Sequence, residues 1–119
     1  VYYPGLSGAD PSGLIGRQMS GPGTILSFEL AGGAAAVRTM LANVRLATHA
    51  VSLGSVDTLI QHPASLTHRI MSDDDRTGCG ITDGLVRMSV GLEDPADLWA
   101  DLEQALTAVR AMQQTFARS

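Results

Sequence analysis

A chain of 119 residues is the size of one domain, and 45% apolar content lets it bury a modest core and excludes a disordered chain. Twelve acids against eight bases give a net charge of −4, and the lack of a basic run or many aromatics argues against a nucleic-acid surface. No apolar run approaches a membrane span and nothing resembles a signal peptide, so neither membrane insertion nor export is expected. The single cysteine, Cys79, cannot form an internal disulfide and fits a reducing, cytoplasmic setting. All eight bases are arginine, so no side chain here can form a Schiff base.

Val1-Tyr2-Tyr3-Pro4-Gly5-Leu6 reads as an extended run ending in a turn, and as the continuation of something longer. Asp10-Pro11 supplies a cap and a first-turn proline, which predicts a short helix from Pro11 to Met19. After the breaker Gly21-Pro22-Gly23, Thr24 to Leu30 alternates as a strand. Leu26, Phe28 and Leu30 share one face, and Ile25, Ser27 and Glu29 the other. Gly32-Gly33 ends it. Ala34 to about Ala47 then has the helical spacing of Val37, Met40, Leu41 and Val44, with Arg38 and Arg45 off that stripe in solvent.

His49 to Leu53 predicts a short strand stopped at Gly54, and Asp57 to Gln61 a second extended piece stopped by His62-Pro63. Ser72 caps Asp73-Asp74-Asp75, which predicts a helix of one to two turns. Three consecutive carboxylates cannot converge on one ion from a helix, and no calcium-loop spacing surrounds them. His49, His62 and His68 lack the spacing of a metal pair, so no metal site is expected.

Gly84 to Asp94 reads as a strand running into an acidic helix cap. Val86, Met88, Val90 and Leu92 fall on one face, and Leu85, Arg87, Ser89 and Gly91 on the other. Asp94-Pro95 then opens the final helix, whose stripe is Leu98, Leu102, Ala105, Leu106, Val109, Met112 and Phe116, with Trp99 packing at its edge. The order of elements predicts an α+β fold: a small, mostly antiparallel sheet covered on one face by helices.

Arg87 is out of place. A guanidinium inside an apolar strand costs free energy unless it is solvated or paired. Either it is solvated or bridges an acid of this domain, or it waits for a carboxylate, which its planar fork holds with two parallel hydrogen bonds. The nearby loop Ser52-Leu53-Gly54-Ser55 reads by itself as an ordinary turn.

Several blocks carry a resemblance. They are Val1 to Leu6, the run Gln18 to Leu30, Val51-Ser52-Leu53-Gly54, Thr58 to His68, Gly80-Ile81 and Gly84 to Asp94. Together they resemble the C-terminal domain of the Cys/Met-metabolism (transsulfuration) family of pyridoxal-phosphate enzymes, closest to its methionine γ-lyase and cystathionine γ-synthase members. That resemblance implies a fold-type I C-terminal domain spanning residues 1–119, with a large cofactor-binding domain upstream and outside this chain.

It also implies roles. Arg87 would hold the substrate α-carboxylate, with Ser52 adding a contact, and with Leu53 and Thr67 beside the substrate. Asp57 stands where some members carry a longer glutamate that influences substrate choice. The intact enzyme would use pyridoxal 5'-phosphate for α-deprotonation of a sulfur-containing amino acid, followed by β- or γ-elimination or γ-replacement, and would be a homo-oligomer, a tetramer in the family. This chain alone would carry no cofactor, no catalytic residue and no activity. The alternative is a free-standing, non-catalytic domain that binds a protein partner or a small carboxylate.

Overall fold

The computed structural model describes residues 1–118. The elements run β1 (Ile25–Glu29), α1 (Gly33–Asn43), β2 (Thr48–His49), β3 (Leu59–Gln61), α2 (Asp73–Gly78), β4 (Leu85–Ser89) and α3 (Pro95–Ala117). They build one four-stranded sheet in the order β1-β4-β3-β2. The central strand β4 is antiparallel to both of its neighbours, and β2 joins β3 in parallel. Tyr2 bridges Ser27 and pairs with the outer edge of β1.

Register separates the two faces. Leu26 lies opposite Met88, Phe28 opposite Val86, and Ile60 opposite Met88 on the other side. Because side chains alternate along a strand, this apolar set shares one face. Helices α1 and α3 pack on it and on each other, and the core joins Ala36, Val37 and Met40 of α1, Ile60, Val86 and Met88 of the sheet, and Ala105 and Val109 of α3. Met40, Ile60 and Val86 are fully buried, each contributing about 1.5–3 kcal/mol of burial free energy. The α+β architecture with helices over one sheet face is the one the element order predicts.

The helix starts follow local chemistry. Ser72 Oγ accepts from Asp75 N at 3.1 Å at the head of α2. The Asp94 carboxylate accepts from Ala96 N at 2.7 Å at the head of α3, with Pro95 in the first turn.

Four sequence expectations fail, each for a physical reason. Residues 11–19 form turns rather than a helix. Gly13 and Gly16 adopt φ of 60° and 88°, outside the right-handed helical region, and the Asp10 carboxylate accepts from Leu14 N and Ile15 N at 2.9 Å each. Helix α1 stops at Asn43, short of Ala47. Val44 is extended, and the backbone N–H groups of Arg45, Leu46 and Ala47 donate to Asp101 of α3 instead of to the preceding helical turn. Strand β2 is two residues long, so 50–53 is loop. Pairing on β4 ends at Ser89, so Leu92 does not continue the core face and is 83% exposed.

Two aromatics of α3 are also more open than the helical stripe suggests. Phe116, near the helix end, is 72% exposed and Trp99 is 66% exposed. Trp99 borders an apolar groove of about 540 Å³ between β1 and α3, whose walls include Leu26, Phe28, Leu102 and Leu106.

Candidate functional site

Arg87 sits at the middle of β4, on the face opposite Val86 and Met88. Its cross-strand neighbours are Ser27 on β1 and Gln61 on β3. No helix of the core cluster covers this side; the loop between β2 and β3 does. Gly54 N donates to Ser89 Oγ at 3.1 Å, and the Ser52 carbonyl oxygen accepts from Arg87 Nη2 at 2.6 Å. Gly54 takes φ 75°, a conformation that favours glycine and turns the chain back toward β3.

Gln61 is 1% exposed, a polar side chain fully buried beside the guanidinium. An amide nitrogen facing Arg87 would set donor against donor. With the amide oxygen facing it, that atom lies 3.0 Å from Nε and 3.1 Å from both Nη1 and Nη2. Three near-equal distances centre the oxygen over the flat face of the cation. Among the described residues, the ion pairs are those of Arg76 with Asp73 and Asp83, and no carboxylate lies in ion-pair range of Arg87.

The loop is anchored at its far end by an acid. Glu93 accepts from Thr58 N at 2.6 Å and from Thr58 Oγ1 at 2.7 Å, while Thr58 Oγ1 accepts from Gly91 N at 2.9 Å. The backbone and hydroxyl donors of Thr58 hold the Glu93 carboxyl below its usual range. Gly91 leaves no room for a side chain: an added Cβ would meet the Asp57 carbonyl carbon at 2.5 Å. Asp57 itself accepts from the Ser55 hydroxyl.

The residues singled out in the sequence are thus only partly gathered. Arg87 and Ser52 touch, but through the Ser52 backbone rather than its hydroxyl. Leu53, in the same loop, is exposed. Thr67 lies between β3 and α2 with its hydroxyl 2.8 Å from His68 Nδ1, and no described hydrogen bond links it to Arg87.

His62 is buried and structural. Its Nε2 lies 3.0 Å from the Asp83 carbonyl oxygen, which can only accept, so Nε2 carries the proton; Nδ1 lies 2.9 Å from Ser65 Oγ. Burial pushes its pKa below the usual histidine value, more than its contacts with Asp83 raise it. No group of three or more His, Cys, Asp or Glu among the described residues could hold a metal ion. No helix among them is long and apolar enough to cross a membrane.

Sequence reasoning passed over Gln61, Glu93 and Asp101. Gln61 carried a signal, a polar residue closing the apolar pair Leu59-Ile60. Asp101 carried one too, since it falls three residues after Leu98 and four before Ala105, on the inward stripe of α3.

Comparison with known proteins decides the family. Residues 1–107 match the Cys/Met metabolism PLP-dependent enzyme family. This chain belongs to that family. It is 57% identical over 111 residues to an L-methionine gamma-lyase of Brevibacterium sandarakinum, covering 93% of this chain and 27% of that protein. It is 51% identical over 109 residues to an L-methionine gamma-lyase of Fusobacterium nucleatum subsp. polymorphum, covering 92% and 28%.

Among solved structures it superposes on cystathionine gamma synthase from Xanthomonas oryzae pv. oryzae, solved in complex with aminoacrylate and cysteine. The TM-score is 0.84 at 46% identity, over 92% of this chain and 28% of that one. The chain therefore spans little more than a quarter of the length of the relatives it matches. The family depends on pyridoxal phosphate. The residues here do not fit an imine anchor for that cofactor, because the chain has no lysine.

Proposed function

We propose that this chain is the substrate-carboxylate-binding part of a pyridoxal-phosphate-dependent lyase or synthase acting on sulfur-containing amino acids. Arg87 is the group that receives the α-carboxylate. The observation that carries this reading is a guanidinium with its charge unmatched by any described carboxylate, held beside a loop on the sheet face away from the core. The competing account of Arg87 was solvation or pairing with an internal acid, and the described ion pairs give the pairing no support. A bidentate carboxylate fits the remaining N–H donors of a guanidinium that has given one to Ser52.

The cofactor and the lysine base that takes the Cα proton belong to a partner region, the N-terminal domain that the longer relatives have room for. Assembly into a homo-oligomer belongs with that longer protein. Fixing the carboxylate would orient the amino acid toward chemistry performed elsewhere, a contribution of position. Leu53 lines the approach as an exposed apolar side chain of the same loop.

The test is a hybrid in which this chain replaces the matching 111-residue segment of the Brevibacterium sandarakinum L-methionine gamma-lyase. Arg87→Ala in that hybrid should lower kcat/KM on L-methionine by about a hundredfold or more, the effect of losing a charge partner worth ~3 kcal/mol. A kcat/KM within twofold of the unsubstituted hybrid would remove the carboxylate role. Carboxylate binding by the 119-residue chain alone, paired with an inactive hybrid, would favour a free-standing binding module instead.

A further inference from the structure

Arginine is long and has many rotamers, so binding a carboxylate with one carries an ordering cost unless the side chain is already held. Arg87 is held from two directions. The Ser52 carbonyl takes one N–H of Nη2 at 2.6 Å, an edge contact. The Gln61 amide oxygen sits at 3.0–3.1 Å from all three nitrogens, a contact with the face. Register makes the second one possible: Gln61 and Arg87 are directly opposed across β3 and β4, on the side away from the core.

We propose that Gln61 is a positioning residue, whose amide oxygen presses on the face of the Arg87 guanidinium and keeps its outer N–H edge free for a carboxylate. The inference rests on Arg87 being the carboxylate-binding group. Two features of Gln61 suit the task. An oxygen over the face spends none of the in-plane donors that a bidentate ligand needs. An amide is also neutral. A glutamate in this place would match the charge of Arg87 and compete with the incoming carboxylate, whereas glutamine orients the cation and leaves its charge available. Burial completes the device, since a side chain 1% exposed has few other conformations to adopt.

Two measurements test this. In the 119-residue chain labelled with ¹⁵N, the Arg87 Nε–H resonance reports whether the guanidinium is held. In the hybrid lyase, KM and kcat on L-methionine report what the holding does. Gln61→Leu should broaden the Arg87 Nε–H signal beyond detection and raise KM by about tenfold with kcat changed less than twofold.

Gln61→Glu keeps the oxygen and should keep the signal sharp, yet should raise KM at least as much, because it adds a competing charge. An unaltered signal in Gln61→Leu, or an unaltered KM in both variants, would overturn the proposal. If Gln61→Leu does not fold, the sharp signal with raised KM in Gln61→Glu still decides it, and a KM unchanged there refutes it. Arg87→Ala separates the two readings. A KM unmoved by Arg87→Ala sinks the carboxylate role itself, while a KM moved by Arg87→Ala but not by either Gln61 variant sinks only the positioning role.

Discussion

The two faces of β4 differ more than any two elements of this molecule. Val86 and Met88 point into a core closed by α1 and α3, where the free energy is apolar burial and shape. One residue along, Arg87 points to a side covered by a loop, where its contacts are a backbone carbonyl and an amide oxygen. One face is built to exclude polar groups and the other to hold one in place. On the role proposed for Arg87, stability and function are separable by a single step of strand alternation.

The sharpest way to break that comparison is to exchange the character of neighbouring residues. Val86→Asp puts an unpaired carboxylate among Met40, Ile60 and Val109. We expect a loss of about 3–5 kcal/mol, the scale for an uncompensated buried charge, and a largely unfolded chain. Arg87→Ala should cost about 1–2 kcal/mol, because it removes no core contact but leaves the buried Gln61 amide without the cation it faces. Urea unfolding followed by far-ultraviolet circular dichroism measures both. Comparable losses at the two positions would mean that the Arg87 face is structural as well.

A second test, of smaller expected effect, asks whether the loop face depends on the helix face. Asp101 is buried on α3 and accepts from the backbone N–H groups of Arg45, Leu46 and Ala47 at 2.8, 2.9 and 3.0 Å. These three residues lead into β2 and so into the loop that reaches Arg87. Burial pushes the Asp101 carboxyl up, but the donors from Ala47, Leu46 and Arg45, with Gln104, outweigh it and leave the group below its usual range.

A depressed carboxyl pKa stabilises the fold above the unfolded value, near 3.8, and that contribution is lost as pH falls through the lower folded value. Asp101→Ala should remove about 2 kcal/mol at pH 7 by leaving three donors without their acceptor. It should also flatten the decline in stability below about pH 4, a decline that Glu93, likewise depressed, continues to produce in the variant. Melting curves from pH 2 to 7 check both signs. An undiminished acid dependence in Asp101→Ala would place the proton uptake elsewhere.

Much of this was legible in the sequence, and what was not shares a cause. Period-two alternation separated Val86 and Met88 from Arg87, and period 3.6 found α3 with its cap at Asp94, because each pattern is local. The end of α1 was not local. Its residues keep helical propensity through Ala47, but Asp101, 54 residues further on, captures their N–H groups. The missing first helix turns on backbone dihedrals at Gly13 and Gly16. Gln61 could be marked as a polar residue in an apolar strand, but its pairing with Arg87 needed the β3–β4 register. Strand chemistry marked Arg87 as out of place, and family resemblance added a role for it with Ser52, Leu53 and Thr67, yet carried no information about which atom of Ser52 meets Arg87.

That atom sets the smallest expected effect and the most discriminating one. The contact between Ser52 and Arg87 runs through the Ser52 carbonyl, which every amino acid has. Ser52→Ala keeps that oxygen and removes only the hydroxyl, which makes no hydrogen bond among the described residues. The variant should melt within about 0.5 kcal/mol of the parent, as expected for an exposed position, and should leave the Arg87 Nε–H resonance sharp. If the hydroxyl also reaches the substrate carboxylate, the hybrid lyase should lose about tenfold to thirtyfold in kcat/KM, the lower range for one hydrogen bond to a charged acceptor and short of the loss for Arg87→Ala. Ser52→Pro separates the roles further. Ring closure restricts the loop backbone at the position that supplies the carbonyl, so it should disturb the Arg87 resonance where Ser52→Ala does not. A broadened resonance in Ser52→Ala would show that the side chain, and not the backbone, keeps the loop against β4.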